Sequence, residues 1–405
     1  MKKCQEAAIW FHSNHYSQDK YSSFDELLAV GVVDEYKVDD PSEYDKNALD
    51  LFLEKYAGHW IIVQVSYEAN QLFEQVKPQE GKLFEFPLIY LFVPKQVYIK
   101  SNRRWNTSLP SKVFDIFDSQ SIGVADEWMK DEEKIEPYVD KIHKLLHEIK
   151  IGNIYEINYC RHTSISSIQV NPLELFQRLN RLNAAPFSAL YKYRDEFVIS
   201  ASPERFLAKR GSHIIAQPMK GTNRKMMNPE ENFLQKRLLT ENEKERAENI
   251  MIVDLMRNDL AKVCEIGTVK VEELCEVYEF NTVNQMISTI SGQCGADKSF
   301  ADILEALFPM GSMTGAPKVS AMQLIRQFEN RPREMFSGSL GYITPDGDFD
   351  LNVVIRSILY SDKMKLASIS AGGAITFLSD AEEEFQETLL KMETMEKALK
   401  DHPSA

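Results

Sequence analysis

Between Ala185 and Gln217 the chain spells four strand-length runs in quick succession: APFSALYKY, DEFVISAS, ERFLAKR and HIIAQ. Each is rich in β-branched or aromatic residues, and only a few turn residues separate one from the next. Connections that short cannot return the chain to the start of a parallel neighbour, which takes a crossover of about a dozen residues or more. Consecutive strands here must therefore run antiparallel. Strand-like segments recur at about 268–280 and 282–291, and again at 336–343, 351–360 and 364–371.

Helical periodicity lies between these groups. Tyr138, Ile142, Leu145, Leu146 and Ile149 fall on one helical face, and Gly152-Asn153 supplies a stop. Pro172 opens a second helix (PLELFQRLNRL). Further helices are predicted at about 241–262, near 300–307, after Pro317 and at about 380–399. Antiparallel strands with inserted helices predict the α+β class. Residues 1–130 read as a strand-rich N-terminal part, with HWIIVQVSY, FEFPLIYLFV and KQVYI as short apolar runs. A polar, acidic stretch at 119–134 predicts a connection to a second region, 131–401, whose strands interleave with the first.

Charge narrows the function. Lys and Arg number 47 against 61 Asp and Glu, a net −14. An acidic surface argues against nucleic acid or an anionic membrane as partner, because phosphate binding needs an excess of Lys and Arg. An anionic substrate would then need locally concentrated positive charge or a metal ion. The five cysteines (4, 160, 264, 275, 294) include no C-x-x-C pair, which excludes a zinc ribbon and disfavours a disulfide framework. The longest clean apolar run, Phe86 to Val93, is far short of the ~20 residues that span a bilayer. The expectation is a reduced, cytoplasmic protein.

Three motif look-alikes fail on inspection. GSMTGAPK lacks the G-K-[ST] ending of a phosphate loop, since Pro317 precedes Lys318. DGDFD at 346–350 starts like a calcium loop, but Leu351 and Ser357 stand where the turn glycine and bidentate glutamate belong. GQCGA around Cys294 is too short a match for a glutaminase nucleophile.

The last helix places Glu384, Glu387 and Lys391 on one stripe, beside an apolar stripe of Phe385, Leu389, Met392 and Leu399. A solvated, salt-bridged face and a carboxylate pair aimed at a metal-bound anion both fit that spacing. In ENEKERAENIMIVDLMRNDLAKV apolar residues surround the axis, predicting burial on most sides, yet Glu248, Asp254, Arg257 and Asp259 sit among them. Asp254 and Arg257 can pair. Glu248 lacks an obvious local partner and is the better ligand candidate. Lys220, in QPMKGT, stands sixteen positions after Glu204, in SPERF. By itself Lys220 reads as a surface turn residue, Tyr342 as core, Arg356 as surface and Gly372-Gly373 as a turn.

Seven segments in order change that reading: SPERF at 202–206, PMKGT at 218–222, RAENIMIVDLMRNDLAKV at 246–263 and FPMGSMTGAPKVSAM at 308–322, then GSLGYITPDGDFDLNVVIRS at 338–357, SAGGAI at 370–375 and EEEFQETLLK at 382–391. Together they resemble the chorismate-utilising enzyme family, most closely the members that aminate chorismate at C4 on the route to para-aminobenzoate and folate. The resemblance spans about 135–400 and implies a large antiparallel β-sandwich with outer helices. It implies Mg²⁺ held by Glu248 and Glu387, with Glu384 behind them. It implies substrate binding by Tyr342, Arg356, Thr314, Lys391 and the backbone at Gly372. Glu204 is implied as general acid/base near the C4 hydroxyl, and Lys220 as a nucleophile at C2 that must be neutral to attack. Anthranilate-forming members have alanine at the Lys220 position, which makes that activity the runner-up; a noncatalytic chorismate-binding relative is the other alternative. Glu156, in IYEIN, stands where isochorismate-forming members have a water-activating lysine. Two departures stand out: Gln285 where the family has a substrate-facing histidine, and Ala374 after the glycine pair. The resemblance also implies ammonia from a class-I glutamine amidotransferase subunit, and tryptophan as a further ligand beside APFSAL.

Overall fold

The computed structural model describes residues 7–74, 76–119, 130–131, 133–280 and 283–400. Most of the polar connection near 125, where a boundary was expected, lies outside the described residues. Nineteen strands among those described form one sheet, and every strand pairing is antiparallel. Nine α-helices accompany them, giving the α+β class.

Pairing can be followed from one end of the sheet to the other. The long strand Glu156–Ser166 pairs with Leu366–Ile375, which pairs with Ser357–Ser361, then Glu196–Ser202, then Phe187–Tyr193. Strands of the first hundred residues come next: Ala7–His12, Glu26–Val38, Ile89–Ser101 and Ile61–Val65. Ile61–Val65 then joins Ser339–Ile343, with Tyr342 opposite Ile62. Beyond it lie Phe349–Asn352, Arg205–Arg210, His213–Gln217 and Val283–Gln293. The N-terminal strands are the bridge between two wings built from the rest of the chain.

Period-2 alternation buries both faces of this sheet. In Phe187–Tyr193, Ala189 and Tyr191 join a cluster with Ile9, Ile62, Phe92 and Leu340, while Leu190 faces Leu175, Leu179, Met392 and Leu399 on two helices. The first cluster draws on strands of both wings, so the sheet curls over its own interior. The second shows helices covering the outside. Near-continuous apolar runs such as FVIS follow from burial on both sides.

Local signals explain the helices. Ile135–Lys150 buries Tyr138, Ile142, Leu145 and Ile149, three and four residues apart. Pro172–Leu182 starts where the Asn171 side chain accepts from two backbone N–H groups, with Pro at the first turn. A further helix that was not expected, Pro229–Glu241, precedes the one expected at about 241–262, which is present as Glu243–Leu260. Asn242 ends the first and caps the second, its side chain accepting from the Glu245 N–H. The second helix is not buried on most sides: Asp254, Arg257 and Asn258 are exposed, and Arg257 meets Asp254 at 3.1 Å on the surface. Asp259, from the same helix, is buried against Lys318 at 2.6 Å and Lys262 at 2.8 Å. Among the described residues no helix is long and apolar enough to cross a membrane.

Candidate active site

Lys220 lies on the short strand Met219–Arg224, hydrogen-bonded to Val283–Gln293, and not on a surface turn. A register break between Met219 and Thr222 lets the strand bulge here. Gly221 makes the bulge feasible. Its φ is +92°, and a Cβ there would stand 3.1 Å from Glu245 Oε2 and 3.4 Å from Met286. Gln285, where a histidine was expected, fastens the same turn: its Nε2 donates to the Gly221 carbonyl at 2.8 Å and its Oε1 accepts from Thr222 at 2.6 Å.

Three carboxyl groups surround the Lys220 ammonium. Glu156 Oε1 stands 3.3 Å from Nζ, and Glu248 and Glu204 act on it through charge. Burial alone would lower the lysine's pKa, but these acids together raise it above the ordinary value, so the free site holds an ammonium. The carboxylates outweigh desolvation, so the neutral amine that attack requires is not the resting form. Glu204, 5% exposed, accepts from Ser312 Oγ at 2.7 Å. Burial pushes its carboxyl up to about 7, against the smaller pulls of Ser312 and Lys220.

Two helices supply a second acidic group. Glu248 comes from Glu243–Leu260, and Glu384 and Glu387 from the C-terminal helix Ala381–Lys400. Burial raises Glu248 to about 7, opposed by Lys220 and reinforced by Glu245. Glu245, one turn before Glu248, was missed by the sequence reading. Burial raises it too, and Glu387 across the gap raises it further. A glutamate three residues before a suspected ligand on the same helix was the available signal. Glu384 is buried, accepts from Ser379 at 2.8 Å, and is raised by burial and by Glu387. Glu387 is half exposed at 51%. Burial alone would raise it, but Lys391, at 2.5 Å, leads the cations that hold it below the usual range.

Lys391 also donates to the Gly372 carbonyl at 2.8 Å. The backbone carbonyl of Lys391 accepts from Arg356 Nη1 at 3.1 Å, which ties the guanidinium to the C-terminal helix. Arg356 adopts φ +53°, uncommon for a side chain of this size. Burial lowers its pKa, with Glu387 opposing. Arg356 and Lys391 thus form a positive corner at the C-terminal helix, beside Glu387 and Gly372.

Two expected residues lie elsewhere. Tyr342 is 6% exposed and packs with Phe11, Phe24 and Trp60. It lines a separate cavity of about 420 Å³, counting its open mouth, with Asp19, Phe187, Arg205 and Asp350. Its hydroxyl is raised by burial first and by Asp350 next, so its charged neighbours belong to that cavity and not to the Arg356 corner. Thr314 is fully buried, and its hydroxyl donates to Met310 and Gly311 carbonyls of its own loop. That hydroxyl is spent on shaping the loop.

That loop still serves the site. Gly315 and Ala316 pair with Ile157 and Glu156. Gly315 has φ +144°, and a Cβ there would stand 2.2 Å from the Glu156 carbonyl oxygen. Ser312, from the same loop, holds Glu204. One segment fixes two of the acids around Lys220.

No group of three or more His, Cys, Asp or Glu among the described residues closes on a metal-sized point. The donor set nevertheless fits a hard divalent cation. Glu245, Glu248, Glu384 and Glu387 are oxygen donors, three of them raised by burial and mutual repulsion, and such an ion binds through one or two carboxylates with water and substrate completing its shell.

A family model described as chorismate binding enzyme matches residues 6–397. The probable chloroplastic aminodeoxychorismate synthase of Oryza sativa subsp. japonica is 40% identical over 273 residues, 67% of this chain and 30% of that protein. Aminodeoxychorismate synthase component 1 of Escherichia coli (strain K12) is 35% identical over 303 residues, 74% of this chain and 64% of that protein. The chain therefore spans less than two thirds of either relative. Among solved structures, anthranilate synthase component I from Streptococcus pneumoniae TIGR4 matches with a TM-score of 0.78 at 23% identity, covering 91% of each chain. The menaquinone-specific isochorismate synthase from Escherichia coli matches at 0.76 and 17% identity, covering 98% of this chain and 89% of its own. These two share the fold. With a family model covering nearly its whole length, the chain belongs to the chorismate binding enzymes.

Proposed function

We propose that the chain is the chorismate-aminating subunit of an aminodeoxychorismate synthase, converting chorismate and ammonia to 4-amino-4-deoxychorismate. The observation that carries this is Lys220, its side chain only 12% exposed and ringed by Glu156, Glu204 and Glu248. A lysine amine held among three acids, two of them pushed up to about 7, is the kind of perturbed titratable cluster that marks a reactive site. The names of the similar proteins from rice and Escherichia coli support the same reading.

In this reading Arg356 and Lys391 receive the carboxylates of chorismate, Arg356 through its planar fork. Glu204, neutral below about pH 7, gives its proton to the C4 hydroxyl, a poor leaving group otherwise. Lys220 attacks C2 as that hydroxyl leaves, and ammonia then enters C4 and expels the lysine. Glu248 and Glu387, supported by Glu384 and Glu245, would hold Mg²⁺, which when bound would neutralise a substrate carboxylate. Nitrogen comes from a separate class-I glutaminase subunit, a reading supported by the name "component 1" of the similar bacterial proteins. The cavity walled by Phe11, Phe187 and Tyr342, with Arg205 and Asp350 at its polar side, is proposed to take tryptophan.

The test is purified protein with chorismate, Mg²⁺ and an ammonium salt, the product identified by mass spectrometry and chromatography. The 4-amino isomer is expected. Anthranilate, or no turnover with intact chorismate binding, would overturn the assignment.

A further inference from the structure

Resting on that reading, one step lacks an agent. Lys220 is an ammonium in the free site and must shed a proton before its lone pair can reach carbon. Glu204 cannot take it and still serve as the acid, for it must carry a proton of its own to the C4 hydroxyl. In that reading Glu248 and Glu387, with Glu245 and Glu384 supporting them, are the groups that would hold the cation. Gln285 and Thr222, which fasten the lysine's turn to one another and to Gly221, have no basic group to offer.

Glu156 remains. It lies on the strand Glu156–Ser166, is 1% exposed, and presents Oε1 to Lys220 Nζ at 3.3 Å. Its other oxygen, Oε2, is buried with no hydrogen-bond partner among the described residues. A carboxylate whose function is only to neutralise a lysine would find donors for both oxygens. Its backbone is clamped by Gly315 and Ala316, and the Tyr155 N–H donates to the Ala316 carbonyl at 2.7 Å, so the carboxylate cannot be displaced cheaply.

We infer that Glu156 is a catalytic base of this site, taking the proton from the Lys220 ammonium and returning it when the lysine is released. The steps balance. The Lys220 N–H bond breaks and an O–H bond forms on Glu156, leaving a neutral amine. That amine forms the N–C2 bond, the two conjugated ring double bonds shift to C1=C6 and C4=C5, and the C4–O bond breaks as the Glu204 proton joins the departing oxygen to make water. The adduct nitrogen is then cationic and Glu204 is a carboxylate. Ammonia forms the N–C4 bond, the two double bonds shift back, and the C2–N electrons return to Lys220 as a neutral amine. Glu156 gives that amine its proton again, and Glu204 takes one from the new C4 ammonium. The sum is chorismate plus ammonia to 4-amino-4-deoxychorismate plus water.

Glu156→Gln keeps the shape and removes the basicity, and Glu156→Asp keeps the basicity at longer reach. With saturating ammonium and Mg²⁺ near neutral pH, Glu156→Gln should lower kcat by roughly a hundredfold or more, the scale of a lost general base. KM for chorismate should stay within about threefold of wild type, and Glu156→Asp should recover part of the rate. Raising the pH should restore turnover in Glu156→Gln more steeply than in wild type, as solvent takes over the deprotonation. Chorismate binding by calorimetry checks that each variant retains the site. A Glu156→Gln rate near or above wild type would overturn the inference, reducing Glu156 to a brake on the lysine. Loss of chorismate binding in Glu156→Gln and Glu156→Asp alike would also overturn it, making the residue structural. A wild-type enzyme that forms no 4-amino product would refute the proposed function itself, a different result from a functional wild type with an indifferent Glu156.

Discussion

Ser312 Oγ donates to Glu204 Oε1 at 2.7 Å, tying the glycine-containing loop to the acid of the site. That bond favours the charged form of Glu204 and offsets part of the rise imposed by burial. Ser312→Ala should therefore move the Glu204 pKa upward, away from about 7. Because Glu204 acts when protonated, the alkaline limb of the kcat profile should move to higher pH in the variant. An unmoved limb would separate Ser312 from the acid's titration.

Glu204 also links pH to stability. Its pKa is about 7 in the folded chain against an ordinary 4.5, so its stabilising contribution is complete below about 4.5 and lost as pH climbs through 7. Glu204→Gln removes that loss. At pH 8 the variant should be more stable than wild type by about 1–3 kcal/mol, with the difference vanishing near pH 4.5. Urea unfolding at the two pH values decides it.

Metal affinity should follow the acidic helices. Glu248→Gln and Glu387→Gln should each weaken Mg²⁺ binding by about tenfold or more, since an amide is the poorer donor to a hard cation. Glu248, raised to about 7, must be charged to bind, so wild-type affinity should fall as pH drops below 7. Titration calorimetry without substrate reads both effects. Equal affinity in wild type and both variants would place the ion elsewhere.

The Lys220 assignment has its own signature. Lys220→Arg keeps the charge but stays protonated, so 4-amino product should be nearly abolished. Lys220→Ala opens C2 to ammonia, so residual product should shift to the 2-amino isomer or anthranilate. Substantial 4-amino product from either variant, identified by mass spectrometry, would mean that C4 is attacked without a lysine adduct.

A last substitution probes the loop. In Gly315→Ala the new methyl would stand 2.2 Å from the Glu156 carbonyl oxygen at φ +144°. It should cost about 2–4 kcal/mol and lower kcat, because Glu156 must shift. Gly347→Ala is a control with open space around its Cβ, where only the positive φ of +81° is strained. Denaturant midpoints and product rates together read the difference.

What could be read beforehand divides along a physical line. Tyr138 to Ile149 and the four strands after Ala185 were legible because their patterns are local, set by a helix turn or an alternating face. The Pro229–Glu241 helix was not, although Asn228-Pro229 marks its start, because Phe233, Leu234 and Leu238 are exposed and trace no buried stripe. Lys220 read as a turn residue because its burial is imposed by partners far off in sequence: Glu156, Glu248 and the strand holding Gln285. Thr314 and Tyr342 lie inside segments that mark the family well, yet a motif says which stretch matters without saying which way each side chain turns.

The bridging role of the N-terminal strands has a consequence during synthesis. Ala7–His12 waits for Phe187–Tyr193, and Ile61–Val65 waits for Ser339–Ile343. While the chain is still emerging from a ribosome, its first strands have edges with no neighbour to close them, a state open to mispairing. Lys220 and its acids can assemble only after most of the polypeptide exists, so a prematurely ended message would yield an inert fragment and not a partly active one. Contacts joined across such distances also make for slow folding, and production at lowered temperature or with holding chaperones should raise the yield of native protein.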